Sequence, residues 1–293
     1  MKYDYQIGII RAKEDDLLSF QDWSRLLAIP SLRDVWAELV RLDIGFTEVG
    51  ELELSNSISK FYSKNIKNLY SELCAYFFDD TLKKAFLYEV DIYNLKLIYK
   101  QKIFNKNFSE SFIPSGFYVL SDLVEEKWIN FKDEFFLELR EEIVKQSLTP
   151  FDFDILADSK LFEFRLLSDN NKFLQSIWKT KIDFYNLKIF FAKNKAFLRG
   201  GNIDNWMLSH EELIERFPLA KFALANDSLN WEKEEEYAIL RLSQDTVVFF
   251  ETLEPLVAYF FKRYIEIKNI NRLLYGRAFK LPSSKIEDQL SIF

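Results

Sequence analysis

Apolar side chains recur along the chain at the three- and four-residue intervals of amphipathic helices. The clearest stripe places these apolar residues on one helix face: Leu54, Ile58, Phe61, Tyr62, Ile66, Leu69, Leu73 and Phe77. Glycine costs about 1 kcal/mol in a helix interior, and none occurs within residues 51–115, 117–199 or 202–275. The pattern therefore predicts an all-α protein of long helices. We assign residues 246–250 to a helix as well, although they are rich in strand-forming side chains, because the surrounding pattern is helical.

Three helical stretches share one pattern: an acid, an apolar residue, Tyr or Lys, an asparagine and a further apolar residue. The acids are Asp91, Asp183 and Glu266, and the asparagines are Asn94, Asn186 and Asn269. Successive copies lie much farther apart than the roughly 34 to 47 residues of tetratricopeptide or HEAT units. The pattern therefore indicates three copies of a larger helical module and a pseudo-three-fold body.

A fainter repeat of Leu–Ser pairs marks the start of each module. Ser19, Ser121 and Ser209 each precede a predicted helix, and serine is a favoured N-cap. Ser209 begins a full capping box that ends at Glu212. The box from Ser19 to Asp22 is weaker, and the one after Ser121 is incomplete. Each module is therefore expected to begin with a capped helix and to end with an acid–asparagine helix.

The two repeats divide the chain into three similar lobes of a single body: residues 1–106, 107–198 and 199–293. The expected architecture is all-helical and three-lobed. The function of such a body is expected to depend on its shape.

The repeated acid and asparagine lie three positions apart and therefore share a helix face. A buried amide without partners costs about 1–3 kcal/mol, so each asparagine is expected to bond to neighbouring backbone. In the first interpretation, each pair pins a neighbouring helix end or loop, once in each module. In the second, the three acids form a ring of sites for a metal or another ion. The first is favoured because no His or Cys lies nearby and calcium loops are rich in Gly and Asp.

Composition limits the compartment and the partners. The chain of 293 residues is 48% hydrophobic and 29% charged, which is typical of an ordered, soluble globular protein. A net charge of −7 without a long basic run excludes nucleic acid as an expected partner. A single cysteine and the lack of a signal-peptide pattern favour the cytoplasm. The longest apolar stretch, residues 246–261, is interrupted by charges and proline, so no membrane insertion is expected.

Residues that could carry catalysis are almost absent. No Walker, G-x-S-x-G or H-E-x-x-H motif occurs, and the one histidine, His210, lies in a predicted capping box. Adjacent carboxylates such as Glu141 and Glu142 point to different helix faces, and the acidic run at residues 232–236 is predicted to be a solvated helix face. We therefore predict no catalytic, cofactor-binding or metal-binding residue.

Several segments, spread over most of the chain, together resemble a known family. They are Arg11–Glu14 with Leu17–Ser19, Ile29–Leu32 with Leu42–Gly45, Asp91–Lys96, Asp183–Lys188, and the closing Glu254–Tyr259, Glu266–Ile270 and Leu281–Pro282. In this order and spacing the segments resemble the C-type subunits of the bacterial and archaeal V/A-type ATPases (ATP synthases), whose relatives in the eukaryotic V-ATPases are the d-type subunits. The chain departs from that pattern in being somewhat short and in having Asn271 where a basic residue is usual.

The resemblance implies a fold and a role. The fold would be a funnel of three helical lobes around a central socket. The protein would be a non-catalytic rotor part that joins the central stalk, with its D- and F-type subunits, to the membrane ring of proteolipid subunits. It would transmit torque for proton or sodium transport, as a monomer within a hetero-oligomeric complex at the cytoplasmic face of the membrane. No cofactor is implied.

Two other classes of function remain open at this point. A helical scaffold or adaptor unrelated to rotary ATPases would show a groove lined by exposed aromatic side chains and no axial socket. An enzyme with a cofactor in a helical-bundle core would show a deep apolar pocket with convergent polar groups.

Overall fold

The computed structural model describes residues 3–44, 54–77, 79–108, 111–145, 148–168, 171–191, 198–202, 228–244 and 252–292. Within these ranges the backbone is helical with no β-strand, which confirms the all-α class. None of the helices in this part of the chain is both long and apolar enough to cross a membrane.

The helices are α1 (Asp4–Glu14), α2 (Phe20–Ala28), α3 (Leu32–Arg41), α4 (Leu54–Tyr76), α5 (Asp80–Phe104), α6 (Leu120–Val124), α7 (Glu134–Lys145), α8 (Pro150–Ser168), α9 (Lys172–Phe191), α10 (Ser228–Gln244), α11 (Glu254–Ala278) and α12 (Ser283–Glu287). A short 3-10 helix at Lys127–Asn130 follows α6. Two compact units divide the chain: Met1–Glu72 with Ala225–Phe293, and Leu73–Leu224. The predicted three-lobed division and its pseudo-three-fold arrangement stay a prediction.

Side-chain caps start several helices. Ser19 accepts the backbone N–H of Asp22, and the Asp22 carboxylate accepts the backbone N–H of Ser19, so the box that the sequence marks as weak is complete. Asp79 accepts the first free N–H groups of α5. Pro150 is the first residue of α8, where its missing N–H costs nothing.

The prediction that Ser121 caps a helix is wrong. α6 begins at Leu120 with Val119 at the N-cap position and no side-chain cap, so Ser121 lies within the first turn. The backbone N–H of Asp122 bonds to the Val119 carbonyl oxygen at 2.9 Å, which satisfies this short helix without a hydroxyl. The predicted box from Ser209 to Glu212, with His210, and the predicted helix at residues 246–250 lie outside the described residues.

The core of the first unit forms around α11, most of whose residues are buried. Helices α2, α3, α4 and α12 contribute to one apolar cluster with its second half: Trp23, Leu26, Val35, Trp36, Leu39, Ile58, Phe61, Ile270, Leu273, Leu274, Ile286 and Leu290. Gly276 permits the close approach of α12, because a Cβ there would lie 2.7 Å from a side-chain carbon of Ile286. The predicted stripe of α4 is confirmed by the burial of Ile58, Phe61 and the apolar residues that follow them.

Aromatic packing dominates the second unit. The ring of Tyr88 on α5 lies 4.8 Å from Phe135, 5.5 Å from Phe136 and 5.2 Å from Phe164, measured between ring centroids. Such pairs add roughly 0.5–1.5 kcal/mol each beyond the area that they bury. These phenylalanine side chains therefore join α7 and α8 to α5.

A buried cation holds three helices of this unit together. Arg165 on α8 is 1% exposed, and its Nε donates to the carbonyl oxygen of Ala85 on α5 at 2.7 Å. Its guanidinium pairs with Glu89 and stacks 4.2 Å from the ring centroid of Trp178 on α9. Burial alone would raise the pKa of Glu89, but the charges of Lys181 and Arg165 lower it to about 2. This ion pair fixes α5, α8 and α9 at one point.

Candidate functional site

The three asparagines of the sequence repeat lie on long helices and are almost fully buried. Asn94 is on α5, Asn186 on α9 and Asn269 on α11, and none is more than 2% exposed. A buried amide has two donors and one acceptor oxygen to satisfy. The hydrogen-bond partners of these donors and acceptors therefore show what each asparagine does in the structure.

All three amides make the same pair of bonds. Asn94 Nδ2 donates to the carbonyl oxygen of Ile113 at 2.7 Å, and its Oδ1 accepts the backbone N–H of the same residue at 2.9 Å. Asn186 is paired in this way with Leu198, at 2.9 and 2.8 Å. We call this arrangement an asparagine clamp. The amide takes the place of the partner strand or helical turn that a loop residue lacks.

The third clamp repeats the arrangement in the other unit. Asn269 Nδ2 donates to the carbonyl oxygen of Ser291 at 2.8 Å, and its Oδ1 accepts the Ser291 N–H at 3.0 Å. The clamped residues follow their asparagines by 19, 12 and 22 positions. Each clamp therefore fixes a segment beyond the end of its own helix.

The repeated acids bind loops next to the clamps. Asp91 accepts the backbone N–H of Phe117 at 2.9 Å, and Asp183 accepts from the side-chain amide of Asn202 at 2.8 Å. Glu266 accepts the N–H of Leu18 at 2.5 Å, just before the cap of α2. The first and third acids thus hold the loops that lead into α6 and α2. Asp183 holds a loop at the predicted start of the third lobe.

Two glycines lie directly against the acids. A Cβ built on Gly116 would lie 1.9 Å from Asp91 Oδ1, and one on Gly201 would lie 2.2 Å from Asp183 Oδ1. Each glycine stands three positions after the clamped residue. The backbone can approach these carboxyl groups only because no side chain is present. Sequence reasoning missed the role of both glycines, because their common spacing is measured from clamped residues that only the structure identifies.

Burial raises the pKa values of two of the repeated acids, Asp91 and Glu266. Burial raises the pKa of Asp91 to about 8, and the N–H groups of Phe117 and Tyr118 offset only part of that rise. Burial also raises the pKa of Glu266, against the opposing charge of Arg263 and the N–H of Leu18. Asp91 is therefore largely protonated near neutral pH.

A network of charged side chains surrounds the third clamp. The burial of one of its members contradicts the prediction for the acidic run at residues 232–236. The acidic run was expected to be solvated, yet Glu236 is 4% exposed. Both of its carboxylate oxygens accept from Arg272, at 2.7 and 2.8 Å, and it also pairs with Lys268 and accepts from the Ser291 hydroxyl. These partners lie on α11 and near the clamped residue, so the run ties α10 to the third clamp. Burial opposes the charge of Glu236, but Arg272 and Lys268 outweigh it and lower its pKa.

The described residues contain no cluster of three or more His, Cys, Asp or Glu side chains that could hold a metal ion. The oxygens of the repeated acids that such an ion would use accept instead from backbone and amide groups and, at Glu266, from the guanidinium of Arg263. This geometry supports the interpretation of the repeat as a set of loop attachments.

One cavity adjoins the third clamp, with a volume of about 300 Å³. Its polar walls include Glu14, Lys262 and Glu266. Lys262 donates to Glu14 at 2.9 Å, and Glu266 is engaged by Leu18 and Arg263. These groups pair with one another and do not converge on the cavity as the residues of a substrate site would.

One known protein family matches most of the chain. The model of the family described as "ATP synthase (C/AC39) subunit" matches residues 7–289. No individual curated protein matches the chain. The matched region includes the three acids and the three asparagines but stops before the clamped Ser291.

The first prediction concerns the clamps. Replacing Asn186 with leucine should lower the free energy of unfolding by about 1–3 kcal/mol, because the N–H and C=O of Leu198 then lose their partners in a buried place. Urea denaturation measures the loss. Asn65→Leu is the matched control: Asn65 bonds only to the Phe61 carbonyl of its own helix, so about 0.5 kcal/mol or less is expected. An Asn186→Leu protein of wild-type stability that had lost binding of an ion would favour the ion-site interpretation.

The second prediction is that replacing two different glycines with alanine changes the stability of the protein in opposite directions. Gly116→Ala should destabilise the protein by about 1–3 kcal/mol, because the new methyl group overlaps Asp91. Gly8 lies inside α1 with nothing within 4 Å of a built Cβ, so Gly8→Ala should stabilise by up to about 1 kcal/mol. Thermal and urea denaturation of both variants test this. A neutral Gly116→Ala would show that the loop does not lie against the acid.

The third prediction concerns pH. The folded protein holds the Asp91 proton up to about pH 8, whereas the unfolded chain releases it near the ordinary aspartate pKa of 3.8. The stability that Asp91 contributes is therefore fully present below about pH 4 and is lost as the pH rises towards 8. Between pH 5 and pH 8 the wild type should lose roughly 3–4 kcal/mol more than Asp91→Asn, which has no proton to release.

Urea denaturation at intervals from pH 5 to pH 8 measures this difference. Comparison with Asp91→Asn cancels the titration of the groups that the two proteins share. The pKa values of Glu89 and Glu232 are lowered to about 2, so both stay ionised throughout this range. Parallel pH profiles for the two proteins would show that Asp91 is ionised in the folded state.

Proposed function

The chain belongs to the ATP synthase C/AC39 subunit family, and we propose that it is the rotor subunit that joins the central stalk to the membrane proteolipid ring. In this role it carries torque between the soluble head and the ring and performs no chemistry itself. The observation that carries the proposal is the family match, which extends from residue 7 to residue 289 and so covers nearly the whole chain.

The internal construction of each unit suits a part that transmits force. A torque-carrying body must resist twisting, which favours close-packed helices over flexible connections. The long helices α5 and α11 each run for 25 residues, and the clamps attach loop segments to them. Buried ion pairs at Arg165 and Glu236 fix further helices. These features support a stiff coupler, because a load on a clamped loop passes directly to a helix.

The proposed partners follow from the family. They are the D- and F-type subunits of the central stalk on one side and the proteolipid ring on the other, with one copy of this chain in the complex. We place the protein at the cytoplasmic face of the membrane. Attachment through protein contacts is consistent with the described helices, none of which is apolar enough to span a bilayer. The transported ion, proton or sodium, is set by the ring.

Depletion and add-back test the proposal. Membranes from which this protein has been removed should yield a soluble head that still hydrolyses ATP and a ring that no longer pumps in response. Adding the purified protein should restore ATP-driven ion transport, and the protein alone should show no ATPase activity. The isolated protein should also bind a purified stalk complex through an interface of about 1,000 Å² or more.

Two outcomes would contradict the proposal. Ion transport that continues at full rate after complete depletion would show that torque passes through another component. Failure of the protein to co-purify with either stalk or ring would favour the alternative of a scaffold or adaptor unrelated to rotary ATPases.

A further inference from the structure

The solvent face of α4 carries lysines in a regular row. Lys60, Lys64 and Lys67 are exposed, and the same stripe continues through the exposed Asn68 and Ser71. Their spacing is that of one helix face, and the three lysines extend over about 10 Å of helix at 1.5 Å per residue. The stripe contains no acid. We refer to these five residues as the lysine face.

No residue in the described part of the chain neutralises the charge of the lysine face. Lys60, Lys64 and Lys67 form no ion pair with any residue in the described ranges. The one acid of α4, Glu72, pairs with Lys13. Elsewhere most lysines of α5 are paired, for example Lys100 with Asp154 at 2.6 Å. The three lysines on one face of α4, unpaired among the described residues, therefore contrast with the paired lysines of α5, in a chain whose net charge is −7.

The orientation of the lysine face is fixed by the core. The opposite side of α4 buries Ile58, Phe61, Ile66, Leu69 and Leu73, each at most 6% exposed. The helix therefore cannot rotate to bring the lysines towards acids of its own unit. The three charges are presented to solvent as a rigid row.

On the basis of the proposed function, we propose that the lysine face binds an acidic helix of another protein of the same complex. Carboxylates at i, i+4 and i+7 of a partner helix repeat the spacing of the three lysines, so a helix lying along α4 could pair with all three. An anionic lipid surface is less well matched, because recognition of such surfaces uses clusters of about 4–8 basic residues. The expected contact is electrostatic and sensitive to salt.

A second copy of this chain offers a related pattern. Glu134, Glu138 and Glu141 on α7 are exposed with the same i, i+4, i+7 spacing. Glu138 already pairs with Lys160 at 2.9 Å, so this acidic row is partly neutralised within its own protein. We therefore favour a different protein of the complex as the occupant, and self-association becomes an outcome of the test.

Charge reversal of the lysine face tests the proposal. Lys60→Glu, Lys64→Glu and Lys67→Glu are combined in one variant, and Lys106→Glu, Lys132→Glu and Lys172→Glu in a control with the same change in net charge. Glutamate has nearly the helix propensity of lysine, so α4 should persist, which circular dichroism and thermal denaturation verify. Binding of each protein is measured to purified stalk complex, to detergent-solubilised ring and to vesicles containing phosphatidylglycerol, at low and high salt.

The lysine-face variant should bind stalk or ring about tenfold or more weakly than wild type at low salt, and the difference should shrink at high salt. The control should bind like wild type. Equal binding by the lysine-face variant and the wild type would overturn this inference and leave the proposed function intact. A wild-type protein that binds neither stalk nor ring would contradict the proposed function itself. Vesicle binding that depends on the three lysines, or salt-sensitive dimers in sedimentation, would also overturn it.

Discussion

A buried asparagine amide that pairs with both backbone groups of one loop residue is the interaction on which the described structure depends. A backbone N–H or C=O that is buried without a partner costs as much as a lost hydrogen bond. Ile113, Leu198 and Ser291 lie outside helices and have no strand beside them. The buried Leu198 and Ser291 would carry this cost without their clamps, and the half-buried Ile113 would carry part of it. The clamps let the ends of long helices continue into ordered loops, and the packing of α6 and α12 near these loops depends on that order.

The same geometry is maintained by different electrostatics in the two units. Among the described residues, Asp91 beside the first clamp accepts from backbone N–H groups, and burial keeps it largely protonated near neutral pH. The third clamp lies within a charge network, where Asn269 also accepts from Arg272 and Ser291 donates to Glu236. A buried network of this kind stabilises only when every member is satisfied, and loss of one partner leaves an uncompensated charge. The first clamp should therefore respond to pH, and the third to substitution of a charged neighbour.

Local sequence patterns predicted the helices well and their long-range partners poorly. The apolar stripe of α4 and the long intervals between glycines are local features of the sequence, so periodicity was sufficient to predict long helices. The spacing of acid and asparagine also indicated attachment to a neighbouring segment. The identity of Ile113 or Ser291 as a partner could not be predicted, because it depends on how the chain returns over the 19 or 22 positions that separate it from its asparagine. The burial of Glu236 and Arg165 was missed for the same reason, since their partners are on other helices.

The clamps place an unusual restriction on how this chain can vary. Each amide holds its clamped residue through that residue's main-chain N–H and C=O, and the three clamped positions accordingly hold side chains as different as isoleucine, leucine and serine. The clamp bonds themselves require no particular side chain at these positions, although proline is excluded because it has no N–H to give. The asparagines themselves have no such freedom, because few other side chains offer a donor and an acceptor side by side. Related chains should therefore be recognised by their helices, while the loops that these helices hold diverge in composition.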